Sequence, residues 1–192
     1  MVGNDGSVNH PYLEIISRLK SSPNPLPGTR LLTIDGPAGS GKTTLATQLS
    51  SRISATIIHM DDLYNGWEDP LGSALTLLLQ ESLLPALKTL RRGEPFQLPH
   101  YNWHTREWYV SDPYPISEVT ILEGVGAGQR LLRPSVSLAL WIEAPETVAR
   151  MRVLERDGYA IEDEIERFHR FEQEHFAREE SKSAADYHLL GT

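Results

Sequence analysis

Residues 31–44 read LLTIDGPAGSGKTT, and the fold follows from how that stretch is parsed. Leu31–Asp35 is a short apolar run of the kind that forms a strand buried on both faces. Gly36–Thr43 fits G-x-x-x-x-G-K-[ST] at every specified position, and a helix-forming stretch begins at Lys42. The spelling has a chemical reason. Glycines let the backbone curl into a nest whose N–H groups converge on an anion, a lysine reaches the terminal phosphates, and a hydroxyl ligates Mg2+. The positive end of the following helix adds to the same field. Gly36, Pro37, Ala38, Gly39, Ser40, Gly41, Lys42, Thr43 and Thr44 are therefore expected to hold the phosphates of ATP, with Thr43 serving Mg2+. Such a segment is a phosphate-binding loop, or P-loop.

Working outward, three more apolar runs look like buried strands: Ala55–His59, Val119–Glu123 and Leu138–Ile142, with Tyr187–Leu190 a fifth. Helical stretches fall between them at Lys42–Arg52, Ser73–Arg92, Pro145–Arg156 and Ile161–Glu180. Strands alternating with helices predict a three-layer α/β P-loop fold, its central sheet mostly parallel and of about five strands. Upstream, Tyr12, Ile15, Ile16 and Leu19 have helical spacing within Pro11–Lys20, and SSPNPLPGT at 21–29 is a connector. Residues 1–29 are thus expected to be an N-terminal helix and linker, and 30–192 the compact domain. In the last helix Ile161, Ile165, Phe168 and Phe176 form an apolar stripe, with the intervening Glu and Arg residues on a solvated face. Glu172 and His175 have E-x-x-H spacing, but the pattern lacks the partner helices that a carboxylate metal site needs.

The chain has 192 residues, with 18 Lys+Arg against 26 Asp+Glu and a net charge of -8. That sign argues against nucleic acid or an anionic membrane as partner. With no cysteine, disulfides and thiolate metal sites are excluded. The first residues lack the apolar core of a signal peptide, and Ala74–Leu90 is broken by Gln80, Glu81 and Pro85, so the expected location is cytoplasmic.

A P-loop alone does not separate kinases from motors, GTPases or transporters. The chain contains neither the guanine-reading Asn-Lys-x-Asp nor the transporter signature Leu-Ser-Gly-Gly-Gln. The second strand runs into His59-Met60-Asp61-Asp62-Leu63-Tyr64, which brings two carboxylates to the strand end that shares a crevice with the P-loop. Either Asp61 or Asp62 suits a base for an attacking hydroxyl or a hold on a Mg2+-bound water.

From about Leu31 onward the sequence resembles the uridine kinase-like nucleoside kinases. Asp61-Asp62-Leu63-Tyr64 is similar to that family's D-S-F-Y segment, which implies Asp61 as the base and Tyr64 as a substrate residue. Leu98–Trp103 (LPHYNW) resembles I-P-x-Y-D-F, with Asn102 for the Asp and Trp103 for the Phe; it implies that Tyr101 contacts the nucleoside. Tyr101, Trp103 and Trp108 are suited to stacking on a planar base, while Arg106 stands where the family has a His. Val119–Gly124 (VTILEG) resembles V-x-x-x-E-G, implying Glu123 near Mg2+, and Asp69 resembles the acidic residue that binds ribose hydroxyls. Arg150, Arg152 and Arg156 fall where P-loop kinases place lid arginines, and Arg156-Asp157 is similar to the family's R-D pair. The family's later Arg-Gly is missing, which predicts a short lid; Ala185-Asp186 matches its A-D.

The resemblance implies transfer of the γ-phosphoryl group of ATP to a hydroxyl of a small molecule, by analogy a nucleoside. Lys42, Asp61, Arg152 and Arg156 would be catalytic; Asp61, Tyr64, Asp69, Tyr101, Trp103 and Arg106 would meet the acceptor; Thr43 and Glu123 would serve Mg2+. Two alternatives stand beside it. One is a kinase of a nucleoside monophosphate, sugar acid or vitamin precursor, and the other a non-catalytic ATP-binding switch.

Overall fold

A computed structural model describes residues 10–191. Helix α1 (His10–Ser21) leads into β1 (Arg30–Asp35), the P-loop and α2 (Lys42–Ser50). Strand β2 (Ala55–His59) follows, then α3 (Ser73–Leu78) and α4 (Leu84–Thr89), which are joined by a wider π turn at Leu79–Leu83. Pro85 accounts for that widening, because it brings no N–H to the ladder and crowds the carbonyls of the preceding turn. The long helix expected over Ser73–Arg92 is therefore two segments, ending where Leu90 turns extended.

The chain next forms β3 (Pro95–Phe96), β4 (Pro99–Asn102), β5 (Glu107–Val110) and β6 (Tyr114–Pro115), and returns to the main sheet with β7 (Val119–Glu123) and β8 (Val136–Glu143). Helices α5 (Glu146–Asp157) and α6 (Glu162–Glu179) are linked through residues 158–161 alone, and β9 (Tyr187–Leu190) closes the sheet. The sheet has five strands in the order β2-β7-β1-β8-β9, and every pairing is parallel. All five expected strands are in it. The pairs β4–β5 and β3–β6 are two-stranded antiparallel additions that the apolar pattern gave no sign of.

Two apolar clusters flank the sheet, as a three-layer α/β fold requires. On one side Leu32, Ile34, Ile121, Leu138 and Leu140 pack with Leu45, Ala46 and Leu49 of α2. Ile15 and Leu19 of α1 lie in this same cluster and are fully buried. On the other side Leu31, Ile58 and Leu122 pack with Leu75, Leu79 and Leu87, and Phe168, Phe171 and Phe176 of α6 cover that layer. Among the described residues no helix is long and apolar enough to cross a membrane. Parallel pairing brings the C-terminal ends of β1, β2 and β7 to one edge, and the candidate site forms there.

Candidate active site

The P-loop leaves β1 by a turn that only glycine permits. Gly39 has φ +75, and a methyl there would come within 2.1 Å of the Ala149 carbonyl oxygen. The loop is therefore pressed directly onto α5. Lys42 opens α2 almost wholly buried, and its Nζ donates to the carbonyls of Gly36 and Pro37, both at 2.8 Å. Thr43 and Thr44 stay exposed in the first turn.

His59 and Glu123 are direct register partners at the ends of β2 and β7. That register explains the tight cluster beyond them. Glu123 Oε1 accepts the Thr43 hydroxyl at 2.9 Å and lies 2.5 Å from His59 Nδ1. The Glu123 bond raises the His59 imidazole above its ordinary range, against burial. Thr43 and Glu123, the two residues expected to serve Mg2+, thus meet. Both are hard oxygen donors of the sort Mg2+ prefers, and few protein ligands suffice for an ion that keeps waters and phosphate oxygens. Among the described residues no three His, Asp or Glu side chains converge as a metal cage.

Asp61 follows in a single 3-10 turn, Met60–Asp62. Its side chain touches solvent, yet the surrounding protein displaces enough water to raise its carboxyl above the ordinary value; Lys42 opposes the rise and Glu123 adds to it. Arg156 is held by two 2.7 Å bonds to Asp157 and is electrostatically linked to Asp61 and Glu123. Arg152 NH1 reaches the Gly39 carbonyl at 3.4 Å. Arg150 instead pairs with Glu162 and Glu166 of α6. The three arginines therefore separate: Arg152 leans to the P-loop, Arg156 to Asp61 and Glu123, and Arg150 joins helix to helix.

The hairpin side of the crevice is aromatic. Trp103 Nε1 donates to the Asp61 carbonyl at 2.9 Å, and its ring lies 4.9 Å from Trp67 and 5.5 Å from Tyr101. Trp108 continues the series at 5.4 Å from Tyr101 and donates to Asn65. Hairpin β4–β5 thus lies over the loop after β2. Its turn is built by Asn102, whose Oδ1 accepts the N–H groups of His104 and Thr105 at 2.9 and 3.0 Å. Arg106 occupies a left-handed position in that turn (φ +58), exposed at the tip. Tyr64 is 2% exposed, with its hydroxyl committed to the Val125 carbonyl at 2.8 Å, so it underlies the crevice floor. Asp69 is exposed, and its carboxylate lies against Gly72 at the start of α3.

Three residues here have roles that the sequence did not assign them. His59 is one, and its place at the end of a strand beside Asp61 was the available signal. Asp35 is another: it is 2% exposed and accepts N–H groups from Gly36, Gly126 and Gly128 at 2.8, 3.0 and 2.9 Å. Burial pushes its carboxyl up to about 6, the three bonds and Lys42 opposing. The third is Glu172, expected on a solvated face but 2% exposed, with Oε1 accepting the Ala38 N–H at 2.6 Å. The solvated-face expectation fails there because α6 lies against the P-loop rather than only on the sheet.

No family model and no curated protein sequence matches the chain. Solved structures do. A possible uridine kinase from Bacillus stearothermophilus superposes at TM-score 0.62 with 22% identity, over 92% of this chain and 99% of that one. A candidate fructose transport system kinase from Silicibacter sp. TM1040 superposes at TM-score 0.60 with 21% identity, over 95% and 98%. The chain therefore has the α/β fold of the P-loop kinases along nearly its whole length.

Proposed function

We propose that this chain is an ATP-dependent kinase that transfers the γ-phosphoryl group to a hydroxyl of a small molecule, a nucleoside being the acceptor class its motifs favour. The observation that carries the reading is the meeting of Lys42, Thr43, Glu123 and Asp61 on one sheet edge, facing an aromatic surface. The P-loop amides and Lys42 bind and orient the triphosphate. Thr43 and Glu123 are the residues that would hold Mg2+, which when bound neutralises phosphate charge. Asp61 accepts the proton of the acceptor hydroxyl as its oxygen bonds to phosphorus and the β–γ bridge breaks to release ADP. A carboxyl held above its ordinary value is a better base for that step. Arg152 and Arg156 offset charge on the moving phosphoryl group. Tyr101, Trp103 and Trp108 supply the stacking surface for a planar acceptor.

A sugar hydroxyl is the second reading, supported by the description of the Silicibacter protein as a fructose transport system kinase. Asp61→Asn tests the assignment of the base. The variant should bind nucleotide as the parent does, with turnover down about 100- to 10,000-fold. Full turnover in that variant would remove Asp61 from the chemistry.

A further inference from the structure

The Pro37–Ala38 peptide sits between two charged side chains. Its N–H is taken by Glu172 Oε1 at 2.6 Å, and its carbonyl by Lys42 Nζ at 2.8 Å. A trans peptide is planar with N–H and C=O pointing in opposite directions, so fixing one end fixes the other. Glu172 comes from α6, 134 positions along the chain from Ala38, and its second oxygen lies 3.1 Å from His169 Nδ1.

Burial of this carboxylate is costly. It raises the Glu172 carboxyl, and the Ala38 N–H, Lys42 and His169 only partly offset that. The line of contacts from Glu172 through one peptide to Lys42 gives it a purpose.

We propose that Glu172 is a positioning residue for Lys42: it holds the Pro37–Ala38 peptide so that its carbonyl fixes the ammonium at the phosphate end of the loop. The inference rests on the P-loop serving nucleotide phosphates and is independent of the acceptor. With the peptide unheld, ψ of Pro37 and φ of Ala38 are free to turn together. The carbonyl then leaves Lys42, and the ammonium keeps only one of its two 2.8 Å backbone acceptors, the Gly36 carbonyl.

Reach and charge are separable by substitution. Glu172→Gln keeps the length and an acceptor oxygen for Ala38, whereas Glu172→Asp keeps the charge but withdraws it by one methylene. Both are mild enough to be compared as folded proteins, with thermal unfolding measured alongside. Binding of a non-hydrolysable ATP analogue with Mg2+, followed by calorimetry, is the readout. Glu172→Gln should bind within about threefold of the parent and Glu172→Asp about fivefold to tenfold more weakly, the worth of one hydrogen bond. Steady-state assays should show the same order in the KM for ATP, with the KM for acceptor unmoved. Equal affinities in all three proteins, or a weak Gln variant beside a normal Asp variant, would overturn the proposal. A change in melting temperature without a change in affinity would also overturn it, by reducing Glu172 to a packing residue. A parent protein that fails to bind the analogue overturns the nucleotide reading itself, so the two failures are distinct.

Discussion

Asp35 ends β1 with a carboxylate that ties the start of the P-loop to the loop after β7, through Gly36, Gly126 and Gly128. Holding an anion there is unfavourable by itself, as its pKa of about 6 against an ordinary 3.8 records. The sign follows from proton counting. Between those values the folded chain keeps a proton that the unfolded chain has lost, so stability from this group is fully present below about pH 3.8. It then declines by about 3 kcal/mol as pH rises through about 6. Asp35→Asn removes the titration, although its amide NH2 opposes the Gly128 N–H and costs a constant amount. In denaturant titrations the stability of Asp35→Asn relative to the parent should therefore improve by about 2 to 3 kcal/mol from pH 4 to pH 7. A difference independent of pH would contradict the burial argument. None of this was readable at residue 35, where a strand-end aspartate looks like an ordinary P-loop flank. Its partners stand about 90 residues further on.

Strands β1, β7 and β8 were legible because each is an apolar run covered on both faces, and the P-loop because its chemistry dictates its spelling; the edge strand β9 is covered on one face only. Hairpin β4–β5 was not. Glu107–Val110 is exposed at every position, so burial imprints no alternation on it, and the register is set by the Asn102 turn. The resemblance marks Asn102 only as standing in place of the family's Asp, while its side chain builds the turn between Trp103 and Trp108. Asn102→Ala removes both acceptor bonds and loosens the aromatic surface. The expected outcome is a rise of about fivefold in the KM for acceptor with the KM for ATP unchanged. A rise in the KM for ATP instead would place the hairpin on the nucleotide side. The helix over 162–179 gave the opposite kind of error. Its period was right, but periodicity reads a Glu between apolar residues as solvent-facing and has no access to a partner on another element.

At the scale of the molecule the site is assembled from distant parts: the ends of three strands, the hairpin above and α6 behind. Parallel topology is what brings them to one edge, since every strand of the sheet delivers its following loop to the same side. The two comparison structures share that arrangement over nearly all of their length, so no large segment of the fold is added or lost. The central claim is phosphoryl transfer onto a hydroxyl. It is tested most directly by incubating the chain with Mg2+ and ATP labelled in the γ-phosphate, against nucleosides, sugars and vitamin precursors, and following the label. The label should become covalently bound to one class of hydroxyl acceptor, with ADP formed in equal amount and both products made about 100- to 10,000-fold more slowly by Asp61→Asn. Nucleotide bound but label never leaving ATP for any acceptor, or appearing only as free phosphate, would contradict it.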